Sequence, residues 1–193
     1  MNYFEKYKDC LLYIDSYWDK IIHKPTKKQI NDNVIHIPFC YITPNDKKFN
    51  FIYYWDTFFM FRGLMGTKRE WVIKDMVDNF TYLLDRYHII PNFNSYASTG
   101  RSQPPFFSSM ILDTYYTSLH SDNFWKKPIY FFGKMLGKSI VNKTWLKRAI
   151  QRAKREYELV WMDPANLYHH RVDGYGLSRY GDRDIGYAHT SEL

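Results

Sequence analysis

Cysteine is scarce in this chain of 193 residues, where Cys10 and Cys40 are the only two. Two cysteines cannot build a disulfide framework, and these lack the spacing of a zinc site, so a reduced intracellular protein is expected. Long apolar runs are missing too: no stretch approaches the roughly 18 residues that a membrane span requires. The opening residues, Met1 to Cys10, are charged and hold no apolar run of the signal-peptide kind. Together these absences predict a soluble, unexported, cytoplasmic chain with no membrane partner. The strand signature of alternating apolar and polar residues is nearly absent, and there is no exact internal repeat or low-complexity tract. Metal-ligand spacing is lacking as well. His88, His120, His169, His170 and His189 form no pattern beyond the adjacent pair His169-His170, so structural or surface roles are expected and no metal or cofactor is implied.

The formal charge of +7 and the pI near 9.2 raise nucleic acid as a partner. The distribution argues against it. Lys and Arg are spread along the chain, and the densest run, Lys143 to Arg155, is interleaved with Trp145, Leu146 and Ile150 at helical spacing, which is the pattern of a solvated helix face. No nucleic-acid recognition motif accompanies the charge.

Aromatic residues are plentiful, at 20% of the chain, with 18 Tyr, 14 Phe and 6 Trp. That exceeds the needs of packing, so many rings must lie partly in water. A Tyr or Trp face offers sugar C–H groups an apolar platform while its polar tip reaches solvent, which makes carbohydrate a candidate ligand.

Apolar periodicity predicts a helix from Tyr3 to Ile22, with Tyr3, Phe4, Tyr7, Leu11, Ile14, Trp18 and Ile21 on one face, closed by Pro25. Residues Pro25 to Asn50 read as extended chain or a short hairpin, since Pro38 and Pro44 interrupt the apolar positions. A helix from Asp56 to Leu64 ends near Gly66 and is followed by a longer one from about Thr67 to Tyr87. The polar loop Pro91 to Gly100 leads to Pro104 and Pro105, which open a helix through Met110, Ile111 and Tyr115. Phe124 to Leu136 and Thr144 to Trp161 supply two more helical stretches, and the tail from Pro164 reads as loop. The total, about five or six helices in antiparallel pairs, predicts an all-α single domain over residues 1–193, about half of a closed helical toroid.

Two segments gather polar and aromatic groups at helix entrances. The first is Lys48-Phe49-Asn50-Phe51-Ile52-Tyr53-Tyr54-Trp55-Asp56-Thr57-Phe58-Phe59, where Asp56 either caps the following helix or faces a ligand. The second is Ile90-Pro91-Asn92-Phe93-Asn94-Ser95-Tyr96, continuing to Gly100-Arg101-Ser102-Gln103-Pro104-Pro105. An Arg fork, a neutral amide and a rigid Pro pair suit a polyhydroxylated ligand, although an Arg in a loop also ties backbone carbonyls. Asp182 with Asp184, near Gly181, reads as turn chemistry.

In order along the chain, these segments resemble the trehalase family of glycoside hydrolases. Its members carry Tyr-Tyr-Trp-Asp-Ser-Tyr-Phe, Met-Val-x-Asn-Phe, Ile-Pro-Asn-Gly and Arg-Ser-Gln-Pro-Pro. Here Tyr53 to Phe59 matches the first, Met76 to Phe80 the second, Ile90 to Asn92 the third and Arg101 to Pro105 the fourth. Gly176-Leu177-Ser178-Arg179-Tyr180 resembles the family's Leu-Asn-Arg-Tyr more loosely. The resemblance implies part of an (α/α)6 barrel whose pocket holds a terminal glucose. It assigns Lys48, Phe49, Trp55, Asp56, Asn92, Arg101 and Gln103 to substrate binding, with trehalose or a related α-glucoside as the small-molecule partner.

Three departures stand out. Lys48 replaces the family's Arg, Phe93 replaces its Gly after Ile-Pro-Asn, and its Arg-Pro-Glu-Ser stretch has no clear counterpart after Tyr180. Inverting glycosidases need an acid and a base roughly 6.5–9.5 Å apart. The family's acid lies in a Glu-Ser-Gly-Trp-Asp motif and its base is a Glu nearer the C-terminus, and neither motif occurs here. No catalytic residue is therefore assigned within this chain. The expectation is an N-terminal, sugar-binding part of an inverting glycoside hydrolase, completed by a C-terminal half or by self-association; the alternative is an inactive remnant or a carbohydrate-binding half-barrel.

Overall fold

Helices form where apolar side chains recur with the helical period and where a capping group satisfies the first free N–H groups. The computed structural model describes residues 3–26, 32–120 and 141–183. Among them it contains five α-helices: α1 (Tyr3–Ile21), α2 (Tyr54–Leu64), α3 (Val72–Tyr87), α4 (Phe107–His120) and α5 (Lys143–Glu156). A single π-helical turn, Tyr157–Trp161, extends α5. Two minimal antiparallel hairpins complete the set. β1 (Ile22–His23) pairs with β2 (Tyr41–Ile42), and β3 (Arg171–Val172) pairs with β4 (Leu177–Ser178). The all-α expectation holds. The helix expected over Phe124 to Leu136 lies outside the described residues.

Helix α3 is the centre of the core. Its Val72, Ile73, Met76, Val77, Phe80, Leu83 and Leu84 are buried, and they meet Phe61 and Leu64 of α2, Phe107, Met110 and Ile111 of α4, and Trp145 and Ala149 of α5. Helix α5 begins where the Asn142 side chain accepts a hydrogen bond from the Trp145 N–H at 2.9 Å. The sequence placed the start of α3 at Thr67, but the helix begins at Val72. Between them the chain folds into tight turns, Glu70 N–H to Thr67 O and Val72 N–H to Arg69 O, and the Glu70 carboxylate accepts the Gly66 N–H at 2.9 Å. Pro104 and Pro105 precede α4 rather than open it, since its first residue is Phe107. The tail from Pro164 includes the β3–β4 hairpin, so it is not loop throughout.

The apolar face expected on α1 exists, but most of it is not buried. Tyr3, Tyr7, Leu11 and Ile14 are exposed, and among the described residues contact with the core comes at the far end, through Tyr17, Trp18 and Ile21. There Gly63 is needed: a Cβ at that position would stand 3.0 Å from the Trp18 ring. Charge completes the attachment. The buried Arg69 guanidinium grips Asp19 through Nε at 2.8 Å and Nη2 at 2.7 Å and also contacts Asp15. The guanidinium is buried and its grip on Asp19 is two-pronged, although Asp15 and Asp19 keep 51% and 69% of their side-chain surface in water, which screens the pairs.

A buried polar link joins three helices. The Tyr54 hydroxyl, in α2, donates to Glu156 Oε1 of α5 at 2.6 Å and accepts the Phe107 N–H at the start of α4 at 3.1 Å. Both side chains are excluded from water, and burial pushes the Glu156 carboxyl from 4.5 up to about 7, with the Tyr54 hydroxyl and Trp161 indole offsetting only part of the shift. A folded carboxyl that holds its proton more tightly than the unfolded one favours folding most at low pH, and loses that contribution as pH rises from 4.5 to about 7.

Two outcomes follow. Denaturant titration should show that Glu156→Gln removes a decline in stability of roughly 3 kcal/mol between about pH 4.5 and 7, relative to the unmodified chain. An identical pH profile for the two proteins would contradict the buried carboxyl. In hydrogen exchange, Arg69→Met should speed exchange across α1 by about tenfold or more while α3 stays protected; unchanged α1 amides would show that the guanidinium is not what holds that helix.

Candidate sugar site

Three backbone stretches lie side by side to build the site. Tyr53 and Phe93 form an antiparallel bridge, the Tyr54 N–H donates to Asn92 O at 3.0 Å, and the Asn92 N–H donates to Arg101 O at 3.0 Å. Buried Asn94 fastens this layer from behind. Its Oδ1 accepts from the Ile52 N–H at 3.0 Å, and its Nδ2 donates to Ile35 O at 2.8 Å. The Ser102 hydroxyl donates to Ile90 O at 2.7 Å, closing the loop on itself. With their hydrogen bonds satisfied inside the protein, these irregular segments hold their side chains in fixed directions.

The result is an open cleft of about 260 Å³ lined by Pro44, Phe49, Tyr53, Trp55, Asp56 and Gln103. Phe49 and Trp55 leave 44% and 40% of their surfaces in water, so each offers a ring to a ligand. Both are steadied by edge contacts, Phe49 against Tyr53 at 5.9 Å and Trp55 against Phe59 at 5.9 Å. Gln103 Oε1 accepts the Trp55 N–H at 3.0 Å, which fixes the amide so that its NH2 group is the end available as a donor. Asp56 sits inside the first turn of α2, not at the cap, which is Tyr53. That position places its carboxylate near the positive end of the helix, where a negative charge is favoured.

Tyr53 has a place in the cleft that the sequence reading did not assign. Burial, together with the nearby charge of Asp56, pushes its hydroxyl up to about 12, so it remains a protonated donor at any physiological pH. That hydroxyl is buried and has no hydrogen-bond partner among the described residues, and the same holds for Asn92 Oδ1. Buried polar atoms are nearly always satisfied, so orphans beside a cleft mark places where a ligand can supply the missing partner.

The seven residues expected to bind substrate fall in three places. Phe49, Trp55, Asp56 and Gln103 meet in the cleft. Lys48 is exposed beside Phe49, its backbone N–H held by Asn45 Oδ1 at 3.2 Å. Asn92 and Arg101 belong to the adjoining layer, and the mostly buried Arg101 directs Nε to within 2.7 Å of Asp182 Oδ2. Asp182, read from sequence as turn chemistry, is therefore the ionic partner of Arg101, a residue expected to bind substrate. Its companion Asp184 lies outside the described residues, as does His189. Tyr53 was hidden in a run of aromatics whose individual faces no periodicity distinguishes; only the bridge to Phe93 shows which way it turns.

The comparisons with known proteins bear on the fold and the family. A periplasmic trehalase of Xanthomonas campestris pv. campestris (strain B100) is 37% identical over 99 residues, covering 51% of this chain and 17% of that relative. A periplasmic trehalase of Pseudomonas aeruginosa is 34% identical over 103 residues, covering 53% of this chain and 19% of the relative. Among solved structures, neutral trehalase Nth1 from Saccharomyces cerevisiae matches with a TM-score of 0.58 and 29% identity, covering 77% of this chain and 23% of the yeast chain. The helical architecture is accordingly that of part of an (α/α)6 barrel. This chain thus spans well under two thirds of the length of the relatives it matches. The cytoplasmic expectation is overturned, because these curated bacterial relatives are periplasmic trehalases. It rested on two unpaired cysteines and an uncharacteristic opening segment, and neither measures compartment: a protein that needs no disulfide folds in oxidising or reducing surroundings alike. The trehalase family model matches residues 5–192, nearly the whole chain, and the chain belongs to the trehalase family.

Proposed function

We propose that this chain supplies the glucose-gripping part of an inverting glycoside hydrolase acting on an α-linked glucoside, with trehalose as the leading substrate. The observation that supports this most directly is the cleft itself. Two water-exposed rings, a carboxylate, a fixed amide donor and an orphaned phenol converge on about 260 Å³. That volume is just below the roughly 300–1,000 Å³ typical of small-molecule sites, which suits one sugar ring better than a polymer. Membership of the family and the trehalase names of the relatives point the same way.

In this reading Phe49 and Trp55 pack on the C–H faces of a pyranose. Asp56 accepts hydrogen bonds from two neighbouring hydroxyls, and the Gln103 NH2 and Tyr53 OH donate to ring hydroxyls. Asn92 and Arg101 close the adjoining wall, and Lys48 adds a single point charge at the rim, where a planar guanidinium would add a fork. The carboxylates that protonate the leaving oxygen and activate water lie outside these 193 residues, so the chain's own contribution is binding and orientation.

Binding is the first test. In ¹⁵N spectra of the purified chain, added trehalose should shift the Trp55 indole N–H, and Asp56→Asn should weaken binding by about 1.5–3 kcal/mol, the worth of a hydrogen bond to a charged group. A sugar that moves other resonances but leaves Trp55 untouched would place the site elsewhere. Chemistry is the second. The 193-residue chain should release no glucose from trehalose or from an aryl α-glucoside above background, because acid and base assistance each contribute roughly 10²–10⁴-fold in rate. Robust release that persists through further purification would mean that carboxylates of this chain perform the reaction.

A further inference from the structure

Asp182 sits in a segment that the rest of the protein holds unusually firmly. The Arg179 N–H donates to His170 O at 2.6 Å, and His170 Nδ1 lies 3.0 Å from Arg179 O, so this ring nitrogen is the donor. His170 is itself fully buried and stacked on Trp161, with ring centroids 4.0 Å apart. Next along the chain comes Gly181, where a Cβ would fall 2.7 Å from His169 O, so no larger residue fits without moving backbone. Two residues further, the Arg183 N–H donates to Gly100 O at 3.1 Å. Asp182 is thus pinned from both sides, against the β3–β4 hairpin before it and against the Arg101 loop after it.

Between these anchors Asp182 Oδ2 approaches Arg101 Nε to 2.7 Å, and the two side chains retain only 20% and 11% of their exposure. An Arg side chain has four rotatable bonds, and a guanidinium this far from water would be costly without an opposite charge. An anion fixed beside Nε selects one direction for the whole planar group. The loop that carries Arg101 also carries Gln103, which lines the cleft.

We infer that Asp182 is the positioning residue for Arg101, aiming its guanidinium at the sugar without touching the sugar itself. The inference rests on the proposed role of Arg101 in sugar binding, and it gives Asp182, which lies beyond the Gly176–Tyr180 stretch that resembles a family motif, a positioning role. A purely structural staple would look the same in the static fold, but it would not act through Arg101.

The test is a double-mutant cycle on the full chain with trehalose as the probe, read alongside the Arg101 Nε–H resonance in ¹⁵N spectra. Asp182→Asn preserves shape and leaves the backbone bond from Arg183 to Gly100 in place. It should shift the Arg101 Nε–H resonance, because the charge lying 2.7 Å from Nε is removed, and weaken trehalose binding about tenfold, the order expected when one charged contact is misaligned. In an Arg101→Lys background the same Asp182→Asn change should alter binding by less than about twofold, since positioning acts only on the guanidinium. Equal losses in both backgrounds, or an Nε–H indifferent to Asp182, would overturn the inference. Trehalose binding that is insensitive to Arg101→Lys would instead overturn the sugar-binding role of Arg101, and would do so even if the Nε–H signal still reported the ion pair.

Discussion

The structure depends on Tyr54. Its phenol is buried among α2, α4 and α5, donating to Glu156 and accepting from the backbone of Phe107, while its own N–H holds Asn92 and with it the loop that runs to Arg101. Tyr53 precedes α2 in extended backbone, while Trp55 and Asp56 lie about 100° and 200° around the helix from Tyr54, so these neighbours do not share its buried direction. All three line the cleft. One buried side chain therefore locks three helices and, through the same short stretch of backbone, sets the direction of the ligand-facing groups. The cost of leaving a buried phenol or carboxyl unpaired makes this arrangement all-or-none.

Behind the cleft, Asn94 does for the loops what Tyr54 does for the helices. A buried amide that accepts from Ile52 and donates to Ile35 ties two extended segments that otherwise meet the loop only through single bridges, Tyr53 to Phe93 and Val34 to Ser95. Rigid loops matter for a sugar, whose hydroxyls offer many weak contacts of similar strength; selectivity comes from holding the protein's donors and acceptors still, so that a wrong epimer leaves one unpaired. The charge of Asp56 beside the high-pKa hydroxyl of Tyr53 gives the cleft one firm acceptor and one firm donor.

Much of this was legible in the sequence, and the misses have physical causes. Helix periodicity located α2, α4 and α5 to within a few residues because their buried faces are continuous. It placed the start of α3 too early, since Trp71 fits the period while the Glu70 carboxylate and the turns around Arg69 break the helix there. For α1 the period was right, yet most of the expected apolar face is exposed: an apolar stripe shows what a helix is able to cover, and only packing shows what does cover it. Phe49, Trp55, Asp56 and Gln103 were found through the family resemblance and do line one cleft. Tyr53 and Asp182 were missed because their roles are set by long-range geometry, a bridge to Phe93 and an approach to Arg101, which leaves no local pattern. Reading compartment from two cysteines failed because an unpaired thiol constrains folding in neither environment.

The most direct measurement of the central claim is a crystal structure of the chain soaked with trehalose. The account predicts one pyranose between Phe49 and Trp55, its hydroxyls within about 3 Å of Asp56, of the Gln103 NH2 and of the Tyr53 hydroxyl. A sugar ordered anywhere else, with those rings and polar groups facing empty solvent, would contradict it.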